Sequence, residues 1–137
     1  MNNTTPMRIL ILGGGFAGLT VAMELERKLA RDPSVEITLI NRENFFLFTP
    51  MLHEVASSDL DLTTIVNPVR KMLRRVNFLA VEVDQIDLEQ KRAIVSHGFD
   101  HHPDTLEFDF LVFGLGSVEH LWACRSARTC TNYEVVG

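Results

Sequence analysis

The fold of this chain follows from the stretch that begins at Arg8 and reads Arg-Ile-Leu-Ile-Leu-Gly-Gly-Gly-Phe-Ala-Gly. Its residues Ile9 to Leu12 form an unbroken apolar run, which is typical of a central parallel strand covered on both faces. Three glycines then turn the chain. From Phe16 to Arg31 apolar residues recur at helical spacing, with charged residues on the other face. The stretch therefore predicts a buried strand, a glycine turn and a helix.

The glycines of this turn have the spacing of a dinucleotide-binding motif, G-x-G-x-x-G, with Gly13, Gly15 and Gly18 at its three positions. Gly13 allows a sharp turn, Gly15 admits a pyrophosphate against the backbone, and Gly18 lets the helix pack close to the strand. The N–H groups and positive dipole end of the helix face the phosphates. Phe16 and Ala17, within the motif, are counted with the cofactor-binding residues. The alternative is a glycine-rich turn of another α/β protein.

Size and composition indicate one ordinary globular domain. The chain has 137 residues, 46% of them hydrophobic, which is enough for a sizeable core. Its net charge of −5 argues against a nucleic-acid partner, because no basic stripe is present. No signal peptide or transmembrane segment is predicted. With only Cys124 and Cys130 a disulfide framework is not expected, and the default location is cytoplasmic.

The nucleotide preference is left open by the residues that follow the second predicted strand, Val35 to Ile40. An acidic residue there would bind both ribose hydroxyls, whereas an arginine beside a neutral residue can accept a 2′-phosphate. Here the pair is Asn41-Arg42. Asn41 can hydrogen-bond a ribose hydroxyl but does not exclude a 2′-phosphate, so FAD, NAD and NADP all remain candidates. The alternative is that both residues merely begin a solvated loop.

The next segment, Asn44 to Ala56, reads Asn-Phe-Phe-Leu-Phe-Thr-Pro-Met-Leu-His-Glu-Val-Ala. Its three phenylalanines are too apolar to be left in water, so they cover either core or a flat aromatic cofactor. Together with the glycine motif and the strand end Thr-Leu-Ile-Asn-Arg, this segment resembles the N-terminus of type II NADH dehydrogenases. These non-electrogenic flavoenzymes are related to the pyridine nucleotide-disulfide oxidoreductases. The resemblance covers about Met7 to Ser117.

The resemblance implies a cofactor and further contacts. In that family the first glycine motif binds FAD, and Thr49 and Pro50 would lie nearest the isoalloxazine ring. Backbone groups at Val83 would meet the adenine, and the chain at Gly116 and Ser117 would pass close to the flavin nucleotide. In the complete enzyme, which sits on the cytoplasmic face of the membrane, hydride passes from NADH to FAD and electrons then pass to a quinone. No side chain here is expected to act as a catalytic acid or base.

The expected fold class is α/β, with a Rossmann-like parallel sheet in the order 3-2-1-4 and a small antiparallel β-meander. Asn77 to Val83 is the third predicted strand, and Phe110 to Phe113 is the fourth. The family continues into a second dinucleotide domain, so these residues would be an incomplete two-dinucleotide-domain fold. The edge strand at Phe110 to Phe113 would then be apolar and unpaired, which favours self-association.

Two clusters of polar residues are expected to be solvent-exposed surface and not binding sites. Pro68 to Arg75 predicts a helix whose four basic residues form a solvated face, which we favour over an anion site. The loop from His97 to Asp104 contains adjacent His101 and His102. Because neighbouring histidines do not easily converge on one ion, no metal site is expected.

The domain division places a partial FAD/NAD(P)-binding domain at residues 1–117 and an atypical, irregular tail at 118–137. The composition of the tail shifts abruptly towards Arg, Ser, Thr and Cys, which favours an altered reading frame or a truncated product. The chain alone is therefore expected to have little or no turnover. The alternatives are a stand-alone NAD(P)-binding module and an inactive fragment.

Overall fold

The computed structural model describes residues 6–29, 31–96, 103–116 and 134–136. The strands of these residues, in chain order, are β1 (Met7–Leu12), β2 (Val35–Asn41), β3 (Phe45–Leu47), β4 (Val66–Pro68), β5 (Asn77–Ala80), β6 (Glu82–Asp87), β7 (Arg92–Ser96), β8 (Pro103–Glu107), β9 (Phe110–Phe113) and β10 (Glu134–Val136). The helices are α1 (Phe16–Leu29), α2 (Leu52–Ala56), α3 (Leu62–Ile65) and α4 (Val69–Met72), and a single 3₁₀ turn spans Thr49–Met51.

A four-stranded parallel sheet forms the centre of the molecule, in the order β5-β2-β1-β9. Strand β1 pairs with β2 from Met7 opposite Val35 to Leu12 opposite Ile40, and it pairs on its other side with β9. Because parallel neighbours need a crossover, α1 carries the chain from the end of β1 back to the start of β2. The predicted α/β class, strand order and meander are confirmed.

Side chains of the parallel sheet alternate between two cores. Ile9 and Ile11 of β1 pack with Leu19 and Ala22 of α1 on one face. Leu10 and Leu12 pack on the other face, against the antiparallel strands. Every residue from Ile9 to Leu12 is buried, as expected for a strand covered on both faces.

The second core lies under the antiparallel strands β6, β7 and β8, to which β10 adds a parallel fourth strand beside β6. The predicted third strand, 77–83, is divided between the two sheets. Strand β5 stays in the parallel sheet, and β6 begins after the buried Val81. Within the tail predicted at residues 118–137, Glu134–Val136 form β10 and pair with β6. Residues 117–133 lie outside the described residues.

Short elements connect β2 to β5. Strands β3 and β4 pair antiparallel, and the backbone N–H of Phe48 donates a hydrogen bond to Ile65 O at 2.9 Å. These contacts hold the two ends of the segment from β3 to β4 together. The predicted helix at 68–75 is one turn only, Val69–Met72. Its C-cap, Leu73, adopts an extended conformation, so Arg74 and Arg75 lie beyond the helix. Within the described residues, the helices are too short or too polar to cross a membrane.

Candidate dinucleotide-binding site

The glycine turn brings three backbone segments into close contact. The N–H of Gly13 donates to Ile40 O at 2.7 Å, and the N–H of Gly114 donates to Leu12 O at 2.7 Å. Gly13 has a φ of +95°, and a Cβ added to it would lie 2.6 Å from the carbonyl carbon of Gly114. A Cβ added to Gly18 would overlap the carbonyl oxygen of Gly13. Backbone therefore fills the space that side chains would occupy, and these two glycines are required by the packing.

Gly15 differs from these two glycines, because a Cβ added to it would meet nothing within 4 Å. It lies at the start of α1, where Leu19 N–H makes a helical hydrogen bond to Gly15 O at 2.9 Å. The N–H groups of the first turn, which include those of Phe16 and Ala17, have no acceptor within the helix. Open space beside free N–H groups is the arrangement that an anionic phosphate occupies.

Asn41 has a role that the sequence reasoning missed. Its Oδ1 accepts a hydrogen bond from Gly14 N–H at 2.9 Å, and its Nδ2 donates to Glu43 O at 2.8 Å. A Cβ added to Gly14 would lie 2.9 Å from Asn41 Cγ. The amide thus ties the glycine turn to the end of β2, in addition to any contact with a ribose. The glycine at position 14, outside the three motif glycines, was the sequence signal for this packing.

A cavity of about 150 Å³ opens beside the turn, at the carboxyl ends of β1 and β2. Four of the predicted cofactor-binding residues line it together: Gly13, Asn41, Arg42 and Val83. The residues that sequence reasoning missed are Ile40, Glu43, Val81, Glu82 and Leu115. Ligands of open α/β sheets bind at this end of the strands, so the cavity is in the expected place.

The phenylalanine-rich segment is joined to the turn through Phe16. The Phe16 ring makes edge-to-face contacts with Phe46, at a centroid distance of 4.9 Å, and with Phe48, at 5.5 Å. The exposed residues Thr49 and Pro50 follow directly in the 3₁₀ turn. The ring contacts hold this turn near the N-terminus of α1. Phe16 was predicted only as a cofactor-binding residue, and the structure adds this packing role.

Of the remaining residues predicted to bind the cofactor, only Gly116 is among the described residues. Gly116 is exposed and has a φ of +67°, and a Cβ added there would meet nothing within 4 Å. Ser117, Cys124 and Cys130 lie outside the described residues. The same holds for the histidine loop at 97–102. Among the residues that the structure describes, no cluster of side chains is suited to hold a metal ion.

Comparison with known proteins gives matches along most of the chain. The sequence model of the pyridine nucleotide-disulphide oxidoreductase family matches residues 7–135. This match continues beyond Ser117, the residue at which the resemblance to type II NADH dehydrogenases was expected to end. Type II NADH:quinone oxidoreductase of Staphylococcus epidermidis is 34% identical over 113 residues, which are 81% of this chain and 26% of that protein. The enzyme of that name from Staphylococcus aureus is 33% identical over 123 residues, 88% of this chain and 29% of that protein.

Solved structures agree with these sequence matches. NDH2 of Plasmodium falciparum in complex with NADH superposes with a TM-score of 0.70 at 26% identity, over 80% of this chain and 22% of that one. Water-forming NADH oxidase from Lactobacillus brevis has a TM-score of 0.68 at 23% identity, over 84% of this chain and 26% of that one, and shares the fold. The chain thus spans about a quarter of the length of the curated relatives it matches.

Proposed function

The chain belongs to the pyridine nucleotide-disulphide oxidoreductase family, and from that premise we propose that it is the FAD-binding N-terminal portion of an NADH:quinone oxidoreductase-like flavoprotein. Proteins of this family are FAD-binding flavoproteins that use NADH. One observation carries the proposal: the open glycine turn, the cavity and the phenylalanine-rich segment meet at the carboxyl end of the parallel sheet.

The described residues fit an FAD molecule. The space at Gly15 and the N–H groups of the first turn of α1 suit the diphosphate. The cavity lined by Arg42 and Val83 suits the adenosine half, and the 3₁₀ turn with Thr49 and Pro50 suits the flavin side. The bound flavin would supply the redox chemistry of the complete enzyme, which takes hydride from NADH and passes electrons to a quinone.

The residues of this chain would act by binding and positioning. Backbone N–H groups at the start of α1 donate to phosphate oxygens, which requires no charged side chain. Asn41 holds the glycine turn against the end of β2 through Gly14 N–H. Phe16 keeps the segment around Phe48 beside the turn. None of these groups has to donate or accept a proton in the reaction.

We also propose that the chain alone turns over little or no substrate. It spans about a quarter of its curated relatives, and the sequence contains one dinucleotide motif. NADH and quinone would therefore be substrates of the longer protein. In addition, the outer edge of β9 favours self-association, because Phe110 and Phe113 of this strand are 57% and 53% exposed and, among the described residues, β9 pairs only with β1. Sedimentation velocity over a range of concentrations tests this association.

A second candidate function is a stand-alone NAD(P)-binding module. The observation that favours it is the side chain of Arg42, which lines the cavity beside the uncharged Asn41 and is 68% exposed. An arginine in this place can accept the 2′-phosphate of NADP.

One reconstitution experiment separates the two functions. The purified chain is incubated with FAD, passed over a desalting column, and its visible spectrum is recorded. Retained flavin absorbance is expected. Gly15→Val places a side chain in the open space at the turn, so we expect at least a tenfold loss of FAD affinity with an unchanged circular dichroism spectrum. Met23→Ala, on an exposed position of the same helix, should bind FAD like the wild type.

Two outcomes would contradict the FAD-binding proposal. A colourless protein that binds NADPH, and whose NADPH affinity falls in Arg42→Ala, would establish the module in place of the flavoprotein. A folded chain that binds neither nucleotide would contradict both proposals.

A further inference from the structure

Arginine side chains gather at the amino end of the parallel sheet, at the opposite end from the glycine turn. Arg27 lies in the last turn of α1, and Arg31 follows that helix. Arg74 and Arg75 lie immediately before β5. These four arginines, together with Glu26, line one cavity of about 210 Å³. Residues 43 or more positions apart in the sequence therefore face one space.

Glu26 holds the two parts of this arginine cluster together. Its Oε1 accepts a hydrogen bond from Arg74 N–H at 2.7 Å and a second, short one from Arg75 N–H. The carboxylate thus accepts from the backbone of the loop. The N–H donors of the Arg74 and Arg75 guanidinium groups are not used in these two hydrogen bonds. Glu26 places Arg74 and Arg75 beside the end of α1 without forming an ion pair with either.

The cluster carries an excess of positive charge. Glu24 forms an ion pair with Arg27 at 2.7 Å. Within the described part of the chain, Arg31, Arg74 and Arg75 form no ion pair with a carboxylate. Like charges around one cavity repel one another, and a bound anion would remove that repulsion. The excess is local, since the whole chain has a net charge of −5.

The position of the cluster separates it from the proposed FAD site. Strand β1 runs six residues from this end of the sheet to the glycine turn. At 3.3 Å per residue that distance is about 20 Å, which is more than one phosphate group can span. Arg70 and Lys71, the other basic residues of the predicted helix, are not among the residues that line the cavity. Arg74 and Arg75 are solvent-exposed, as the sequence predicts, but they lie beyond α4 and line the cavity instead of a helix face.

We propose that the arginine cluster binds a multivalent oxyanion, of the size of the diphosphate group of a nucleotide or another phosphate ester. Guanidinium groups form paired, charge-assisted hydrogen bonds with phosphate oxygens, and three guanidinium groups that form no ion pair within the described residues line this cavity. One oxygen of Glu26 accepts hydrogen bonds from two backbone N–H groups. The carboxylate therefore repels a bound anion less strongly than a carboxylate without hydrogen bonds would. This inference does not depend on the FAD proposal.

Calorimetric titration of inorganic pyrophosphate into the purified chain at low ionic strength, with and without added FAD, tests the inference. Saturable binding is expected. The triple variant Arg31→Ala, Arg74→Ala, Arg75→Ala should bind pyrophosphate at least tenfold more weakly, because each lost charge-assisted hydrogen bond costs about that factor. Its hydrogen bonds to Glu26 use backbone N–H groups and are retained. Flavin absorbance should not change.

The matched control removes the same number of positive charges outside the cavity, in Lys28→Ala, Lys71→Ala, Lys91→Ala, and should bind within about twofold of the wild type. Should the triple arginine variant unfold, Arg31→Glu alone should still weaken binding. Equal losses in both triple variants would show that only overall charge matters and would overturn the inference. Binding that is lost in Gly15→Val but kept in the arginine variant would also overturn it, because the anion would then occupy the glycine turn.

Discussion

The two ends of the parallel sheet both present hydrogen-bond donors, but they obtain them in different ways. At the carboxyl end the donors are backbone N–H groups of the first turn of α1, and their positions follow from the close packing of the glycine turn at Gly13, Gly18 and Gly114. At the amino end the donors are guanidinium groups at the end of α1 and on the loop that Glu26 ties to this helix. A site made of backbone is sensitive to added volume, whereas a site made of long side chains is sensitive to charge and salt. Substitutions at each end of the sheet should therefore differ in the kind of loss that they cause.

The largest effect is expected from Gly18→Ala at the carboxyl end. The added methyl group overlaps the Gly13 carbonyl oxygen, and backbone cannot move aside as a flexible side chain can. We expect a loss of about 3 kcal/mol in the free energy of unfolding, measured by urea denaturation. Gly15→Ala, with open space around its methyl group, should change stability by less than about 0.5 kcal/mol. Equal losses in the two variants would contradict the packing argument.

The next effect belongs to the amino end. Glu26→Ala removes the acceptor of two backbone hydrogen bonds, so the loop before β5 loses its tie to α1. The expected cost is about 2 kcal/mol, because hydrogen bonds to a charged group exceed ordinary ones. Glu24→Ala on the same helix loses only exposed ion pairs, which solvent screens, and should cost much less than Glu26→Ala. Thermal unfolding of both variants provides the comparison.

Phe16→Ala is expected to destabilise the protein by about 1.5 kcal/mol, because two edge-to-face ring contacts are lost. The loss should be accompanied by faster amide hydrogen exchange at Phe48, which is then no longer held beside the turn. Met23→Ala removes a similarly exposed apolar side chain from the same helix and serves as the control. Unchanged exchange at Phe48 would show that the ring contacts do not position this segment.

Asn41→Ala should cost about 1 kcal/mol in total, because it removes two partly exposed hydrogen bonds, from Gly14 N–H and to Glu43 O, each contributing roughly 0.5 kcal/mol. The amide of Gly14 loses its acceptor in this variant, so its hydrogen exchange should accelerate while that of Gly13, bonded to Ile40 O, should not. Asn67→Ala changes the same residue type at an exposed position in β4 and should leave both amides unaffected. Slow exchange at Gly14 in Asn41→Ala would contradict the tie between the turn and β2.

The smallest effect concerns Glu107, the last residue of β8, whose carboxylate forms an ion pair with Arg8 of β1. A hydrogen bond from Arg8 and the charges of Arg8 and Arg92 lower the pKa of Glu107 below its ordinary value of 4.5. A lowered folded pKa stabilises the protein above pH 4.5, and this contribution is lost as the pH falls through the lowered value. The effect should be small because the side chain is half exposed. Melting temperatures of Glu107→Gln should therefore fall less between pH 5 and pH 3 than those of the wild type, with Glu89→Gln as control.

Local patterns in the sequence were sufficient to predict the central architecture. The apolar run at Ile9 to Leu12, the glycine spacing and the helical period after Phe16 each describe one element and its neighbour. Strand order followed, because right-handed crossovers leave few arrangements for parallel strands. The glycine positions were also informative, since only backbone packing or a ligand requires them.

Contacts between distant residues were not predictable in this way. Asn41 reaches Gly14 across 27 positions, and Glu26 reaches Arg74 across 48. The division of residues 77–83 between two sheets likewise depends on where the antiparallel strands pack, because a short apolar run is compatible with either sheet. Sequence patterns specify which face of an element is apolar, but the partner of a polar side chain depends on how complete elements pack together. The glycine turn could therefore be recognised from its residues alone, whereas the tie to Asn41 and the arginine cluster required the folded chain.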